Sequence, residues 1–398
     1  MSQAAALDTP KSSKQRNIIL NISSLSLLFL FMWWADGSMT TATGWTWLPG
    51  KLNGYIVQIL NLVAVYGILA LGLNLIYGFT GMFSLGHAGF MAIGAYVSAL
   101  CVLPAAQKEI MWLLKPMMWP FSVLSTPFWV SIILGGLCAA FIALLIGIPV
   151  LRLGGDYLGI ATLGLAEIIR VLIVNMVPIT NGALGIKGIP SHVSLLTSYI
   201  WLFIILCGII KLMNSNFGNV LKAVRDDGVA AQVMGINVFA TKLFSFCLGA
   251  FLAGVGGALL GNLLTTIDPK MFNFQLTFNI LMIVVAGGLG SITGSIIGAV
   301  LITVLLEWLR FVESPLSIAG IHIPGIPGMR MVVFSVCLLL IILYRREGIM
   351  GMREISWNGL FALPGRIRNK LTKKTASQPL KPTSEPNTKP SADKEDLV

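Results

Sequence analysis

The chain has 398 residues, of which 56% are hydrophobic and only 11% are charged. Soluble domains carry about 25% charged residues, so this composition excludes an ordinary globular enzyme, a disordered chain and a disulfide-rich scaffold. The formal net charge is +11. In a chain this apolar, we expect that excess in the cytoplasmic loops of a membrane protein rather than in a nucleic-acid-binding surface. The five cysteines lie in apolar runs without a CxxC pair, which favours small buried residues over a metal or disulfide site.

Ten apolar stretches of the sequence are long enough, or nearly long enough, to cross a membrane. A spanning helix needs about 20 apolar residues because the hydrocarbon core of a bilayer is about 30 Å thick. The sequence therefore predicts an all-α polytopic membrane protein with about ten transmembrane helices and glycine-broken segments. The predicted spans are residues 18–34, 55–78, 86–103, 128–150, 157–178, 199–213, 243–263, 276–290, 295–312 and 330–344.

Basic residues predict how these spans are oriented. With both termini in the cytoplasm, 19 of the 27 Lys and Arg residues lie on the cytoplasmic side and 6 lie outside, as the positive-inside rule requires. This gives a cytoplasmic N-terminus at 1–17, a transmembrane domain at 18–345 and a basic tail at 346–398. The tail is rich in Lys, Pro, Ser and Thr, which is typical of a disordered segment. Its cations can contact anionic membrane lipid, although a solvated tail is favoured.

No segment of the sequence is suited to hydrolyse ATP. The phosphate-binding signature GxxxxGK[ST] is missing, and so are HExxH and GxSxG. We therefore expect no catalytic residues, no metal site and no cofactor in this chain. Any ATP-driven step would need a separate subunit.

The longest internal cytoplasmic loop, residues 214–242, has apolar residues at helix-like spacing with charged residues between them. This pattern predicts one or two short amphipathic helices outside the bilayer. Two interpretations remain open: a connector packed on the membrane surface, or a docking site for a separate motor subunit.

Two glycine-rich stretches, 78–89 and 286–298, interrupt apolar runs and carry almost no charge. Glycine permits non-helical backbone, which survives at membrane depth only when it is buried in protein or lines a wet cavity. Corresponding breaks in two halves of a transporter indicate the substrate path. The alternative is a pair of tight helical hairpins. The glycines that we assign to the path under the first interpretation are Gly81, Gly86, Gly287, Gly288 and Gly290.

Polar residues within spans are costly and often functional. Glu167 and Arg170 stand at i and i+3, which places them on one helix face where they can neutralise each other. His87 lies in the first glycine stretch. We name these three as candidate pathway residues, while a structural ion pair and a packing histidine are the favoured alternatives. Three asparagines are expected to cap broken helices or to bond across helices: Asn74, Asn175 and Asn279.

Five segments, in order, resemble the branched-chain amino-acid ABC-transporter permeases of the LivM type. The first runs from Gly81 to Tyr96 (GMFSLGHAGFMAIGAY), and the second from Gly155 to Arg170 (GDYLGIATLGLAEIIR). The other three are TNGALGIKGIP at 180–190, AAQVMGIN at 230–237 and GGLGS at 287–291. The resemblance covers about 55–345.

The resemblance implies a permease subunit of an importer of branched-chain or hydrophobic amino acids, multi-pass in a bacterial inner membrane. Its partners would be a second related permease, two cytoplasmic P-loop ATPases that bind ATP and Mg²⁺, and an extracytoplasmic substrate-binding protein. The segment 230–237 is similar to the family's ATPase-docking segment. We therefore assign the docking role within 214–242 to Arg225, Ala230, Ala231, Met234 and Gly235.

Two departures from the family pattern bear on the substrate. Gly185 follows Ala183 and Leu184 where the family often has Pro-Asn, which predicts a different outer loop. Relatives that carry urea or short amides tend to have Arg where this chain has Leu289, so amino acids are favoured over those solutes, and aromatic acids remain an open alternative. A proton-coupled transporter with Glu167 as its essential residue, a membrane-embedded enzyme and a structural subunit are the less favoured alternatives.

Overall fold

The computed structural model describes residues 53–112, 117–118, 121–122, 124–153, 155, 157–313, 316–318, 321–323, 328–344, 348–351 and 354. The predicted N-terminal segment, the first predicted span at 18–34 and nearly all of the predicted tail lie outside the described residues.

The described chain is mostly helical, as predicted. Helix α1 continues directly into a π-helix, Leu75–Phe79. The α-helices are, in chain order, α1 Gly54–Asn74, α2 His87–Val102, α3 Ala105–Met111, α4 Phe128–Val150, α5 Tyr157–Asn175, α6 Val177–Thr180, α7 Leu195–Met213, α8 Asn216–Asp226, α9 Gly228–Val233, α10 Val238–Leu264, α11 Phe274–Gly287, α12 Ile292–Trp308, α13 Arg310–Glu313 and α14 Met329–Tyr344.

Two short strand pairs, which the sequence did not predict, join loops that are distant in the chain or close a hairpin. Strand β1 (Ile186–Lys187) pairs antiparallel with β2 (Thr266–Ile267), and β3 (Leu316–Ile318) pairs antiparallel with β4 (Ile321–Ile323). Strands of two or three residues have too few side chains for an alternating pattern to be read from the sequence.

Five helices in the described part of the chain are long and apolar enough to cross a membrane. Helices α2 and α3, bent by 116°, form a sixth candidate if they count as one span. The predicted spans 276–290 and 295–312 correspond to the shorter helices α11 and α12, of 14 and 17 residues. A polytopic helical membrane protein is therefore confirmed, while the count of ten spans and the cytoplasmic termini stay predictions.

Capping residues explain where hydropathy misplaced two helix starts. Helix α7 begins four residues before the predicted span at 199–213 because Ser194 and Thr197 form a reciprocal capping pair. The Ser194 amide donates to Thr197 Oγ1 at 2.7 Å, and the Thr197 amide donates to Ser194 Oγ at 3.3 Å. Helix α10 likewise begins early, at Val238, where Asn237 Oδ1 accepts from the amide of Ala240. Such caps supply partners for helix-start amides that lack them.

The predicted span at 157–178 ends too late. Helix α5 stops at Asn175, and the short helix α6 begins again at Val177. Pro178 lies just inside that second helix. Because proline has no amide hydrogen and clashes with the preceding turn, it cannot continue an α-helix that starts at 157.

Helix α10 lies at the centre of the fold and packs against α1, α2 and α4. Small residues bring three of these helices into backbone contact. A Cβ on Gly254 of α10 would lie 2.9 Å from the carbonyl oxygen of Gly135 and 2.7 Å from the Cβ of Ala139, both on α4. A Cβ on Gly94 of α2 would collide with the backbone of Gly254. Glycine at these positions permits the close packing on which helix association in membranes depends.

We expect Gly254→Val to destabilise the folded chain by about 1–3 kcal/mol, because the added methyl groups overpack a contact with no free space. The matched control is Gly164→Val on α5, where a Cβ meets no atom within 4 Å. Thermal melting and size-exclusion profiles in detergent give the readout. Equal melting temperatures for the two variants would contradict this packing.

Candidate functional site

The first glycine stretch is non-helical over several residues. The chain leaves the π-helix at Phe79, passes through Gly81 with a φ of +73°, and becomes helical again at His87. Thr80 Oγ1 donates to the carbonyl of Leu75 at 2.9 Å. A side chain of the stretch itself therefore supplies a hydrogen-bond donor to a carbonyl at the end of the helix.

Hydroxyl groups of neighbouring helices accept hydrogen bonds from the amides at the far end of this stretch. The amide of Leu85 donates to Thr162 Oγ1 of α5 at 2.9 Å. The amide of Ala88 donates to Thr277 Oγ1 of α11 at 3.1 Å. A Cβ on Gly86 would lie 2.9 Å from the carbonyl oxygen of Thr162, so α5 approaches the backbone closely here. The far end of the break, from Gly86 to Ala88, is therefore buried in protein, as non-helical backbone in a bilayer must be unless it lines a wet cavity.

The second glycine stretch forms a tight hairpin between α11 and α12. Gly288 and Gly290 have positive φ angles of +123° and +78°, which side chains rarely tolerate. Ser291 Oγ then accepts from the amide of Gly294 at 3.0 Å and caps α12. A Cβ on Gly287 would collide with the carbonyl of Gly294, so the two helices are in backbone contact. Of the two interpretations that the sequence left open, this stretch has the hairpin geometry.

Asn74 joins the two glycine stretches. Its Nδ2 donates to the carbonyl of Ser291 at 2.9 Å and to Ser295 Oγ at 2.8 Å. Its Oδ1 accepts from the amide of Gly290 at 2.9 Å. A Cβ on Gly78 would collide with both Asn74 and the Gly290 amide. The predicted role of Asn74 in bonding across helices is confirmed.

The other two asparagines behave differently. Asn175 Nδ2 donates to the carbonyl of Val171 at 2.8 Å, within its own helix. Asn279 Oδ1 is buried and has no hydrogen-bond partner among the described residues.

The segment 214–242 forms two short helices, α8 and α9, as the amphipathic pattern predicted. Helix α8 buries Gly218, Leu221 and Val224 against the rest of the fold. Asp227 caps α9, and its Oδ1 accepts from the amides of Val229 and Ala230 at 2.8 and 3.1 Å. Asp227 is therefore both the last cap of α8 and the first cap of α9, so the two helices follow each other without a loop.

Apolar side chains on and after α9 are strongly exposed. Val229 is 74% exposed, and Val233 and Met234 are each 81% exposed. Ala230 is exposed as well. A Cβ on Gly235, whose φ is +84°, would meet no atom within 4 Å. We call Val229, Val233 and Met234 the apolar trio. It lies beside Gly235, where the surface is open.

Two of the predicted docking residues face the protein instead. Ala231 is buried. The side chain of Arg225 is 20% exposed; its Nε and Nη2 donate to Asp226 Oδ1 at 3.0 and 2.8 Å. Its Nη1 donates to the carbonyl of Gly78 at 3.2 Å. Arg225 thus contacts the first glycine stretch.

Residues at the start of the predicted tail form hydrogen bonds to the second glycine stretch. The amides of Ile349 and Met350 donate to the carbonyls of Ala286 and Gly287 at 2.9 and 3.1 Å. The two carboxylate oxygens of Glu354 accept from the start of α12: from the Ile292 amide at 2.6 Å, the Thr293 amide at 3.1 Å and Thr293 Oγ1 at 2.7 Å. A carboxylate is favourable at the N-terminus of a helix. Sequence reasoning missed Glu354, because a lone acidic residue after the last span has no distinguishing pattern.

The three candidate pathway residues do not form one cluster. His87 is buried at the start of α2, and a Cβ on Gly72 would lie 3.3 Å from its Cε1. His87 Nε2 has no hydrogen-bond partner among the described residues. Arg170 Nε lies 2.7 Å from Glu167 Oε2, so the predicted mutual neutralisation is confirmed. No hydrogen bond within the described residues links His87 with this partly exposed pair.

We expect Glu354→Gln to weaken the cap of α12 by about 1 kcal/mol, because an amide nitrogen replaces one accepting oxygen. Hydrogen exchange of the amides at 292–294 should become about fivefold faster, and distant helices should be unaffected. The control is Glu109→Gln, an exposed carboxylate on α3. Unchanged exchange at 292–294 would show that Glu354 does not hold this turn.

The chain matches known transport proteins over both glycine stretches and the segment 214–242. The model of the family described as branched-chain amino acid transport system / permease component matches residues 55–343. No solved structure is significantly similar to the chain. Three relatives illustrate the similarity.

The permease protein LivM of the high-affinity branched-chain amino acid transport system of Escherichia coli K12 is 31% identical over 310 residues, which cover 68% of this chain and 67% of LivM. LivH of the same kind of system in Salmonella typhimurium is 24% identical over 324 residues, covering 76% of this chain and 97% of LivH. BraD of Pseudomonas aeruginosa is 23% identical over 321 residues, covering 77% of this chain and 98% of BraD. The chain therefore belongs to the family of permease components of branched-chain amino acid transport systems.

Proposed function

We propose that this chain is one of two membrane-spanning permease subunits of an ATP-driven, binding-protein-dependent importer of branched-chain and other hydrophobic amino acids. The observation that carries the proposal is the family match at 55–343, which runs from the first turn of α1 nearly to the end of α14. It includes both glycine stretches and the segment 214–242.

The second permease subunit would be a related chain. LivM and LivH of Escherichia coli K12 are both named as permease proteins of the high-affinity branched-chain amino acid transport system, and this chain matches both. Their similarity to one chain supports a pair of homologous subunits. The higher identity to LivM, 31% against 24%, supports the LivM position for this chain in such a pair.

The proposed topology has ten spans in a bacterial inner membrane, with both termini in the cytoplasm. From charge alone, this topology places the two glycine stretches and the segment 214–242 on the cytoplasmic side. In the fold, Arg225 of that segment contacts Gly78 of the first stretch, and Asn74 ties the first stretch to the second. Regions that touch lie at the same membrane depth, so these contacts support placing all three regions on one side of the membrane.

The apolar trio supports a docking role for the segment 214–242. A soluble surface rarely exposes three large apolar side chains together without a partner. We infer that the trio, with Ala230 and Gly235 beside it, docks one of two cytoplasmic P-loop ATPases. These partners would bind ATP and Mg²⁺, for which this sequence has no phosphate-binding signature.

Alternating access is the mechanism that this arrangement supports best. A loaded binding protein would dock on the outer loops at 104–127, 179–198 and 313–329. Closure of the ATPases would move α8 and α9 and change the tilt of the spans around the glycine stretches. A ligand shifts such an equilibrium only through its different affinity for the two states, so the docking contacts must differ between them.

The docking role is tested by Val233→Glu combined with Met234→Glu. We expect the double variant to insert normally but to lose its ATPase partners in affinity purification, because two buried carboxylates at an interface are costly to desolvate. The control is Ile110→Glu, at a residue that is 74% exposed and lies on α3. Retention of the ATPases by the double variant would rule out this surface.

The substrate class is tested by uptake in a strain that lacks its own branched-chain amino acid importers. We expect ATP-dependent uptake of labelled leucine when this chain is supplied with its partner subunits, and no uptake of urea. Collapse of the proton gradient at constant ATP should leave leucine uptake in place. Uptake that stops with the proton gradient, and with Glu167→Gln, would instead favour a proton-coupled transporter.

A further inference from the structure

The side chain of Arg225 occupies a notch formed by glycines of both stretches. A Cβ on Gly81 would lie 3.1 Å from Arg225 Cγ, and a Cβ on Gly290 would lie 3.1 Å from Nη1. The same Nη1 donates to the carbonyl of Gly78. Three glycines, from two stretches more than 200 residues apart in sequence, thus lie next to one arginine side chain.

The charge of Arg225 suits this position. Gly78 lies in the last turn of the π-helix that extends α1, where carbonyl groups lack helical partners and the helix dipole favours a cation. The guanidinium is fixed from its other edge by the two bonds to Asp226. Because its donors form a rigid planar fork, holding two of them orients the third. Asp226 therefore aims Nη1 at the glycine turn.

We propose that Arg225 is the positioning residue through which the segment 214–242 sets the geometry of both glycine stretches. The proposal rests on the docking function argued above, and it assigns Arg225 to coupling rather than to the docking surface. A displacement of α8 moves the guanidinium, which bonds the α1–α2 turn and packs against the α11–α12 turn. Chains of packed side chains and hydrogen bonds of this kind can carry energetic coupling between distant sites.

The notch gives the glycines a second role. At Gly81 and Gly290, whose φ angles are positive, an alanine would be strained and would also press on the arginine. We therefore assign these two glycines to the seat of Arg225, whether or not they line a substrate path. Substitution of either glycine should impair coupling in the same direction as loss of the arginine.

The test uses the complete transporter, purified with its ATPases and second permease and reconstituted in vesicles with a loaded binding protein. For Arg225→Ala, we expect assembly to be normal and ATP hydrolysis to persist. The maximal rate of leucine uptake should fall about tenfold, while the KM for the loaded binding protein changes less than about twofold. The ratio of ATP hydrolysed to leucine transported should rise accordingly. The matched control is Arg152→Ala, an exposed arginine between α4 and α5.

Asp226→Ala provides a second variant, because Asp226 is exposed and its removal leaves the packing intact. It frees the guanidinium without deleting it, so we expect a smaller loss of uptake per ATP, about threefold. If Arg225→Ala fails to fold, Asp226→Ala remains as the test of coupling. A wild-type ratio of leucine transported to ATP hydrolysed in Asp226→Ala would overturn the proposal.

Two further results would also overturn the proposal. One is an uptake rate of Arg225→Ala equal to that of Arg152→Ala. The other is loss of the ATPases from Arg225→Ala, which would make Arg225 a docking contact. A wild-type chain that purifies without any ATPase would instead overturn the proposed function, so the two failures are distinguishable.

Discussion

Backbone amides that leave a helix inside a membrane protein need partners within the protein, and this requirement shapes the centre of the fold. At the first glycine stretch the partners are hydroxyls of Thr162 and Thr277, which belong to different helices. At the second, Asn74 and Ser291 serve the turn itself. Each break can persist only where these helices already stand. The position of α5, α11 and α1 around the breaks is therefore fixed by hydrogen bonding as well as by apolar packing.

Contacts of α8 connect the glycine stretches to the segment 214–242. Helix α8 has an apolar face that packs on the fold and an arginine that reaches the helix end at Gly78. Helix α9 follows at once, because Asp227 caps it directly. An exposed apolar trio thus stands only a few residues from a side chain that touches both glycine stretches. The path from the apolar trio to the membrane-spanning helices is therefore short.

Hydropathy and glycine content predicted much of this fold, and contacts between distant segments account for what they missed. The ends of most described spans were predicted within a few residues, since length and apolar content determine them. Asn74 was identified because an amide inside a span needs a partner. Its actual partners, at Gly290, Ser291 and Ser295, are more than 200 residues away, and no pattern within one sequence indicates them. The capping pair at Ser194 and Thr197 was readable in principle.

Arg225 shows the limit of pattern reasoning most clearly. On an amphipathic helix a charged residue is expected to face solvent or a partner protein, which agrees with grouping Arg225 among the docking residues that the family resemblance implies. The fold instead gives it a carbonyl at a helix end, which is an equally good partner for a cation. The carboxylate of Glu354 accepts hydrogen bonds from the start of α12 in the second glycine stretch. A cation of the segment 214–242 is thus bonded to the first stretch, and an anion at the start of the predicted tail is bonded to the turn of the second. Because backbone contact at Gly287 and Gly294 binds α11 to α12, any shift of that turn moves both helices together.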